Sequence, residues 1–483
     1  MKQLTGLDAA FLAMESDEVC GHVGSVCVLD PATAPQPLTR DLLAAHLASR
    51  LQLVPVLHQR LLTVPFGLDQ PYWIEEERTD LSDHVRQVDL PAPGTDHQLA
   101  TAVAALHGTR MDRSKSLWEI YLITGLSGGR CAIYSKVHHA AIDGVGGDDV
   151  LAAVVDPTPQ GREVDPPAHR EVETPPGPVE LLVRSGWSLV KQPARAVRLV
   201  TGVARSGRGL VLAGADRVPV LEQLHHQELR PHPGLRAPGT PFNAAITAQR
   251  SWGFADLSLD LVKEIKNAAE VTVNDVVMAL CAGALRRWLE AHAALPHDAL
   301  VAAVPVSIRN DHPDASFGNQ VSVMLAALPT NVDSPAERLS AAAAAMHAAK
   351  AEYGAVPPAL FSDVTGFAVP MLANPAWKVI ARLRMMEFAN PFNLFISNVP
   401  GPRVPLYYAG ALILAYYPIS AIAHGQGLNI TVMSYRDRLC VGMLACRSLV
   451  PDVERLAGWV DEELDLLAES VLSSDRAGPR SSG

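Results

Sequence analysis

Lys136-Val137-His138-His139-Ala140-Ala141-Ile142-Asp143-Gly144 closes a run of alternating residues that begins at Cys131. Strand alternation puts Ile133, Ser135, Val137 and His139 on one face, and Tyr134, Lys136 and His138 on the other. Two successive histidines leaving a strand point apart, so only one easily reaches a shared reaction centre. Asp143-Gly144 makes a turn before the next helix, which should follow Gly147. An imidazole with a reference pKa of about 6.5 can take a proton and return it near neutral pH. A carboxylate four residues on can orient the loop or the ring, directly or through an arginine. Two other readings stand beside this one. A His-His pair in a Leu/Val-rich chain is commonly structural, and His138, His139 and Asp143 resemble part of a 2-His-1-carboxylate metal site. The divergence of the two rings and the lack of an HExxH or other spaced ligand set weigh against a metal, and none is expected.

Working outward, Leu117 to Thr124 and Cys131 to Val137 read as neighbouring strands joined by the Gly-rich turn Ser127 to Arg130. His22 to Leu29 is a strand running into Asp30-Pro31. Thr39 caps a helix carrying Leu42, Leu43, His46, Leu47 and Leu51, and a second helix spans about Asp96 to His107. In the second half, Asn274 to His292 is a helix and Ala299 to Ile308 a strand. Ser334-Pro335-Ala336-Glu337 opens an Ala-rich helix to about Tyr353. Leu428 to Tyr435 and Leu439 to Ala445 pair as a hairpin around Arg436-Asp437-Arg438, and Val453 to Val471 is the closing helix. Strands mixed with helices in both halves indicate an α/β protein of two mixed-sheet domains. The boundaries read as 1–155 for the first domain, 156–240 for a Pro-rich linker and basic crossover, 241–472 for the second domain, and 473–483 for a disordered tail.

The chain has 483 residues, enough for two cores. Its net charge of −11 argues against a nucleic-acid partner, since phosphate binding needs a cationic surface. The six cysteines form no CxxC pair and read as buried thiols of a reducing compartment. The start, through Ser16, lacks a cationic segment followed by an apolar one. Nowhere do about 18 uncharged apolar residues run together. A cytoplasmic protein is the expectation. One stretch is basic: Arg184, Lys191, Arg195, Arg198, Arg205, Arg208 and Arg217 are set among Leu, Val and Trp187. It reads either as a solvated crossover or as a surface that adsorbs to anionic lipid.

The stretch from His138 to Gly144 resembles the HHxxxDG signature of the wax ester synthase/diacylglycerol acyltransferase family, within the HxxxD acyltransferases that include chloramphenicol acetyltransferase. Leu4-Thr5-Gly6-Leu7-Asp8-Ala9-Ala10-Phe11 is similar to the family's N-terminal segment. Leu117-Trp118-Glu119 is similar to its PLW motif, with Ser116 in place of proline. Asn274-Asp275 resembles its ND motif, and Ser397-Asn398-Val399-Pro400-Gly401-Pro402 its SNVPGP segment. Gly427-Leu428-Asn429-Ile430 with Ser434-Tyr435 resembles its late strand. The likeness covers roughly residues 1–470 apart from the linker.

This resemblance implies two chloramphenicol-acetyltransferase-like domains with an active-site tunnel between them. It implies an acyl-CoA-dependent O-acyltransferase that makes triacylglycerol from diacylglycerol, or wax ester from a long-chain alcohol. His139 would be the base, His138 mainly structural, and Asp143 a loop-shaping residue paired with Arg309. Asn274 would donate to the developing oxyanion, with Gly144 supporting through backbone amides, although Asn274 also reads as a helix N-cap and Arg309 as a solvent-facing strand end. Trp118, Ser397, Asn398 and Gln426 are the implied substrate contacts, although Ser397 to Pro402 read by chemistry alone is a turn. No cofactor is implied beyond acyl-CoA as co-substrate, and peripheral contact with the inner membrane or a lipid droplet is expected. A non-catalytic lipid-surface protein that kept the fold, or an acyltransferase acting on a polyketide or glycolipid, stays open.

Overall fold

The computed structural model describes residues 1–65, 69–76, 78–142, 153–164, 176–177, 179–181, 183, 237–307, 321–353 and 391–476. Along the first half run β1 (Lys2–Gln3), α1 (Gly6–Met14), β2 (His22–Asp30), α2 (Arg40–Ala48), β3 (Gln59–Leu62) and β4 (Tyr72–Glu75). The short α3 (Leu81–His84), β5 (Val85–Asp89), α4 (Asp96–His107), β6 (Trp118–Thr124) and β7 (Cys131–His138) follow. The second half holds β8 (Arg250–Ser258), α5 (Leu259–Ala268), α6 (Val273–Ala291), β9 (Leu300–Ser307), β10 (Val321–Leu328) and α7 (Pro335–Tyr353). Then come β11 (Leu394–Val399), β12 (Tyr407–Tyr408), β13 (Ala411–Ile419), β14 (Leu428–Tyr435), β15 (Arg438–Cys446) and α8 (Val453–Arg476).

Local chemistry sets many of these boundaries. Thr39 caps α2, and Thr95 with Gln98 forms a reciprocal capping box on α4. Each such cap is worth about 1 kcal/mol of helix stability. Ser334 Oγ accepts from Glu337 N at 3.5 Å where α7 begins. Asn274 is not the cap of α6. Thr272 takes that place, and its hydroxyl and Asp275 close a capping box that leaves Asn274 inside the first turn.

Two six-stranded mixed sheets carry the fold, in the orders β12-β13-β2-β7-β6-β5 and β10-β9-β11-β14-β15-β8, beside a small sheet β1-β4-β3. The α/β two-domain class read from the sequence therefore holds, but the linear domain boundaries do not. Strands β12 and β13, from the second half, extend the first sheet, with β13 antiparallel to β2 from Leu412↔Asp30 to Ile419↔Gly24. Alternation reveals which face of a strand is apolar but not which edge it will join, so this crossover is invisible locally. One apolar core accordingly joins Val26, Leu122 and Ile133 of the first half with Trp252, Tyr417, Tyr435 and Leu444 of the second.

The boundary at Asp156 also moves. Asp156 is 1% exposed and forms a two-pronged pair with Arg50 at 2.7 and 2.9 Å. Its backbone exchanges both hydrogen bonds with Tyr407, and Arg162 N donates to its carboxylate. This residue belongs to the first sheet's packing rather than to a linker. At the other end α8 runs to Arg476, past the expected start of the tail, and 477–483 lie outside the described residues. The basic stretch from Arg184 to Arg217 and the helix expected after Gly147 also fall outside them.

Among the described residues no single helix is long and apolar enough to cross a membrane. The one bent pair that passes by length and composition is α5 with α6, at 104°, and α6 buries Val276 to Leu285 in the core of the second sheet.

Candidate active site

β7 sits between β2 and β6, so its end is held from both sides, with His22 opposite His138 and Trp118 opposite Val137. The strand stops at His138, one residue earlier than the alternation implies. His139, Ala140 and Ala141 form a single 3-10 turn. Tyr134, Lys136 and His138 do share a buried face, as read from the sequence, but His139 leaves the strand altogether.

Backbone bonds fix this exit. His138 N donates to Leu117 O at 3.0 Å, and His139 N donates to Gly21 O at 2.8 Å. His138 Nδ1 then accepts from Ala140 N at 3.1 Å and caps the turn with its ring. That leaves the proton of the neutral ring on Nε2, which stands 3.9 Å from Glu15 Oε2. Burial, the nearby Arg113 and His139 push the His138 pKa down to about 3, so this ring stays neutral at ordinary pH. The imidazole of His138 is thus a buried wedge in this turn. Its Nδ1 is committed to the turn that carries His139.

His139 is half-buried and lies against α1, where the Phe11 ring stacks on it with 3.9 Å between centroids and 21° between planes. Glu15, just past the C-terminus of α1, is buried at the side chain and held by Arg113 Nε at 2.6 Å and Arg110 Nε at 3.4 Å. Arg113 also donates to Leu12 O at 2.6 Å. Phe11, Glu15, Gly21 and Arg113 escaped the sequence reading as individual site residues. The one signal was the family-like segment Leu4 to Phe11.

Beneath this site lies a buried polar ladder. Lys136 pairs with Glu119 at 2.8 Å and donates to the carbonyls of Leu106 and Thr109. His107 Nδ1 meets the Tyr134 hydroxyl at 2.7 Å, and His22 Nε2 meets His107 O at 2.6 Å. Burial, with Lys136 adding to it, brings His22 down to about 3, and burial together with His22 and Lys136 takes His107 well below its usual value.

The second cluster sits in the other sheet. Asn274, in the first turn of α6, has its Oδ1 3.5 Å from the Nδ2 of Asn398 on β11. Ser397 and Asn398 belong to β11, parallel to β14 with Asn398 opposite Val432, so the expected turn begins only at Pro400. Gly401 N donates to Ser434 Oγ at 2.9 Å, which ties two family-like segments together. Gln426 closes a tight loop through Ala423.

Trp118, read as a substrate contact, is packed into the interior at the start of β6. It is 1% exposed, stacks on His84 at 4.3 Å, and gives its indole N–H to Leu57 O at 3.2 Å. Ser116, standing where the motif has proline, donates to Glu76 Oε2 at 3.0 Å. Asp143 and Arg309, the expected loop-shaping pair, and Gly144 lie outside the described residues. A cavity of about 460 Å³ opens between the sheets beside Val28, Asp256 and Tyr417. It lies toward the opposite end of β2 from His22 and His138, so it is distinct from the histidine site.

Residues 4–277 match the wax ester synthase/diacylglycerol acyltransferase catalytic domain, and residues 317–468 match the C-terminal domain of the same enzymes. The chain belongs to the wax ester synthase/diacylglycerol acyltransferase family. Like other members of this family, it is an O-acyltransferase. An Acinetobacter baylyi protein named O-acyltransferase WSD is 32% identical over 98% of this chain and 98% of its own length. A relative from Mycobacterium tuberculosis is 35% identical over 97% of this chain and 90% of its own length. The solved wax ester synthase/diacylglycerol acyltransferase of Marinobacter aquaeolei VT8 superposes with a TM-score of 0.68 at 29% identity, covering 97% of this chain and 98% of that one. The first condensation domain of the calcium-dependent antibiotic synthetase shares the fold, with a TM-score of 0.52 at 16% identity over 98% of this chain and 97% of that one.

Proposed function

We propose that this wax ester synthase/diacylglycerol acyltransferase family member transfers a long-chain acyl group from acyl-CoA to the free hydroxyl of diacylglycerol, giving triacylglycerol and CoA. His139 is the general base in this reading. The observation that carries it is the turn after β7, where His138 is spent on capping and His139 alone is turned out of the strand.

The steps balance with groups of the chain itself. The His139 imidazole takes the proton of the acceptor hydroxyl as its oxygen attacks the thioester carbonyl. The carbonyl oxygen becomes an oxyanion, which the Asn274 amide, near the N-terminus of α6, stabilises by donation. On collapse the C–S bond breaks, and the departing thiolate takes the proton from the His139 imidazolium. A positioned general base contributes on the order of 10² to 10⁴ in rate, and one oxyanion donor on the order of 10² to 10³. Asp143, Arg309 and Gly144, to which the family resemblance gives supporting roles, lie outside the described residues and enter none of these steps. Neither a metal nor a bound cofactor enters these steps.

Diacylglycerol resides in membranes, so the reading includes peripheral work at a membrane or lipid-inclusion surface. The basic stretch supports it by composition. Neutralising Arg195, Arg198 and Arg205 should reduce co-sedimentation with anionic liposomes, and unchanged binding at low salt would remove this part of the proposal.

The acceptor is tested by CoA release from palmitoyl-CoA with diacylglycerol and with hexadecanol in parallel. Faster release with diacylglycerol supports the reading. Release with hexadecanol alone makes the chain a wax ester synthase, and release with neither removes both acceptors.

A further inference from the structure

The segment Leu4 to Phe11 plays no part in the proton transfers above, yet the fold holds it on the proposed base. Its start is anchored where β1 pairs with β4 and where Leu4 N donates to Pro71 O at 3.0 Å. Thr5 and Asp8 then close a capping box on α1. The far end is clamped by Arg113, through Leu12 O and Glu15. A nine-residue helix fixed at both ends can hold a side chain at a set height over a neighbouring turn. The side chain so held is Phe11, stacked on His139.

A histidine ring is soft about χ2, where its torsional profile is broad and roughly two-fold. A base must nevertheless aim an in-plane nitrogen lone pair at the hydroxyl it deprotonates. A flat ring at 3.9 Å and 21° covers the face of the imidazole rather than its edge and so restricts the plane of the ring. We propose that Phe11 is a positioning residue for His139, setting the plane of the catalytic imidazole through the face of its ring. This rests on the reading of His139 as the base.

The competing role is packing alone. Phe11 borders a small apolar cluster of Leu4, Leu12, Leu61, Leu117 and Ala140. Packing requires apolar volume at this place, whereas positioning requires a planar face. Phe11→Leu and Phe11→Met keep the apolar character and lose the face, and Phe11→Tyr keeps both.

The experiment is steady-state CoA release from palmitoyl-CoA with the preferred acceptor. Wild type, the three variants and His139→Ala are compared, with thermal unfolding used to confirm folded protein. The expected result is a fall in kcat of about tenfold for the folded Leu or Met variant. The KM for palmitoyl-CoA should stay within about twofold and the Tyr variant near wild type, since the face is restored and substrate binding is untouched. Wild-type kcat in a folded Leu or Met variant, or a Tyr variant as slow as they are, would overturn the proposal. Full activity in His139→Ala would instead overturn the assignment of the base, so the two failures are told apart.

Discussion

Gly21→Ala should cripple turnover far more than it destabilises the fold. A Cβ added at Gly21 would stand 2.6 Å from His138 Nε2 and 3.0 Å from its Cε1. Ordinary van der Waals contact begins near 3.4 Å, so the ring has to move by about 0.8 Å. It has little freedom to do so, because it is 1% exposed and its Nδ1 is bonded to Ala140 N. The movement therefore passes into the turn that presents His139, whose own N–H is bonded to Gly21 O. Overpacking of this kind costs about 1–3 kcal/mol of stability. A misplacement approaching 1 Å at a reacting group costs up to about a hundredfold in rate. The assay is CoA release beside urea unfolding, with Gly283→Ala as the control. An added methyl at Gly283 runs into the buried Arg338–Glu463 pair on the far side of the molecule's second sheet, so it strains the fold without touching the turn. Gly21→Ala should lose about 30- to 100-fold in kcat, while folded Gly283→Ala stays within about twofold of wild type. Wild-type kcat in Gly21→Ala would refute the claim that the buried His138 ring sets the geometry of the turn.

Asn274→Ala should lower kcat by about a hundredfold, and Asn398→Ala by less, since Asn398 acts by holding the Asn274 amide. The double variant should be no slower than Asn274→Ala, and multiplying losses in a double-mutant cycle would contradict this coupling. Stability should decline as pH falls below about 6.5. His22 and His138 titrate near 3 when folded and at about 6.5 when unfolded, so the unfolded chain binds the extra protons in that window. Their contribution is complete above pH 6.5 and shrinks by up to about 2 kcal/mol each by pH 5. Urea midpoints measured from pH 7.5 to 5 check this, and His138→Gln should flatten the profile. A midpoint unchanged from pH 7 to 5 would contradict the neutral, buried state of these rings.

Much of the fold can be read from local patterns. The strands before and after Ser127–Arg130, the helix from Asp96 to His107 and the late hairpin all follow alternation or capping chemistry that lies within a dozen residues. The parts that were not legible depend on distant partners. Arg50 and Asp156 are more than a hundred residues apart, and nothing near either one announces the pair. Strand β13 could have paired within the second half, and only the packed structure reveals that it lies beside β2. The cap of α6 is ambiguous in the sequence for a different reason. Thr272 and Asn274 are both good capping residues, and the capping box with Asp275 decides between them.

The site divides in the same way. The histidine pair is visible in the sequence because its residues are contiguous, but the two part at the 3-10 turn after β7 rather than by strand alternation. The parts that hold it, Gly21, Phe11 and the Glu15–Arg113 clamp, come from other segments and become apparent only once the first sheet and α1 are assembled. The motif around Trp118 invites a contact with substrate but does not announce its partners in the fold, where the indole stacks on His84 and donates to Leu57 O.

The central claim is that His139, and not its buried neighbour, carries the proton in acyl transfer. The direct measurement is CoA release from palmitoyl-CoA with diacylglycerol by folded His139→Ala beside wild type. The account predicts a loss of about 10² to 10⁴ in kcat with the KM for palmitoyl-CoA little changed. Turnover in His139→Ala equal to wild type would contradict it.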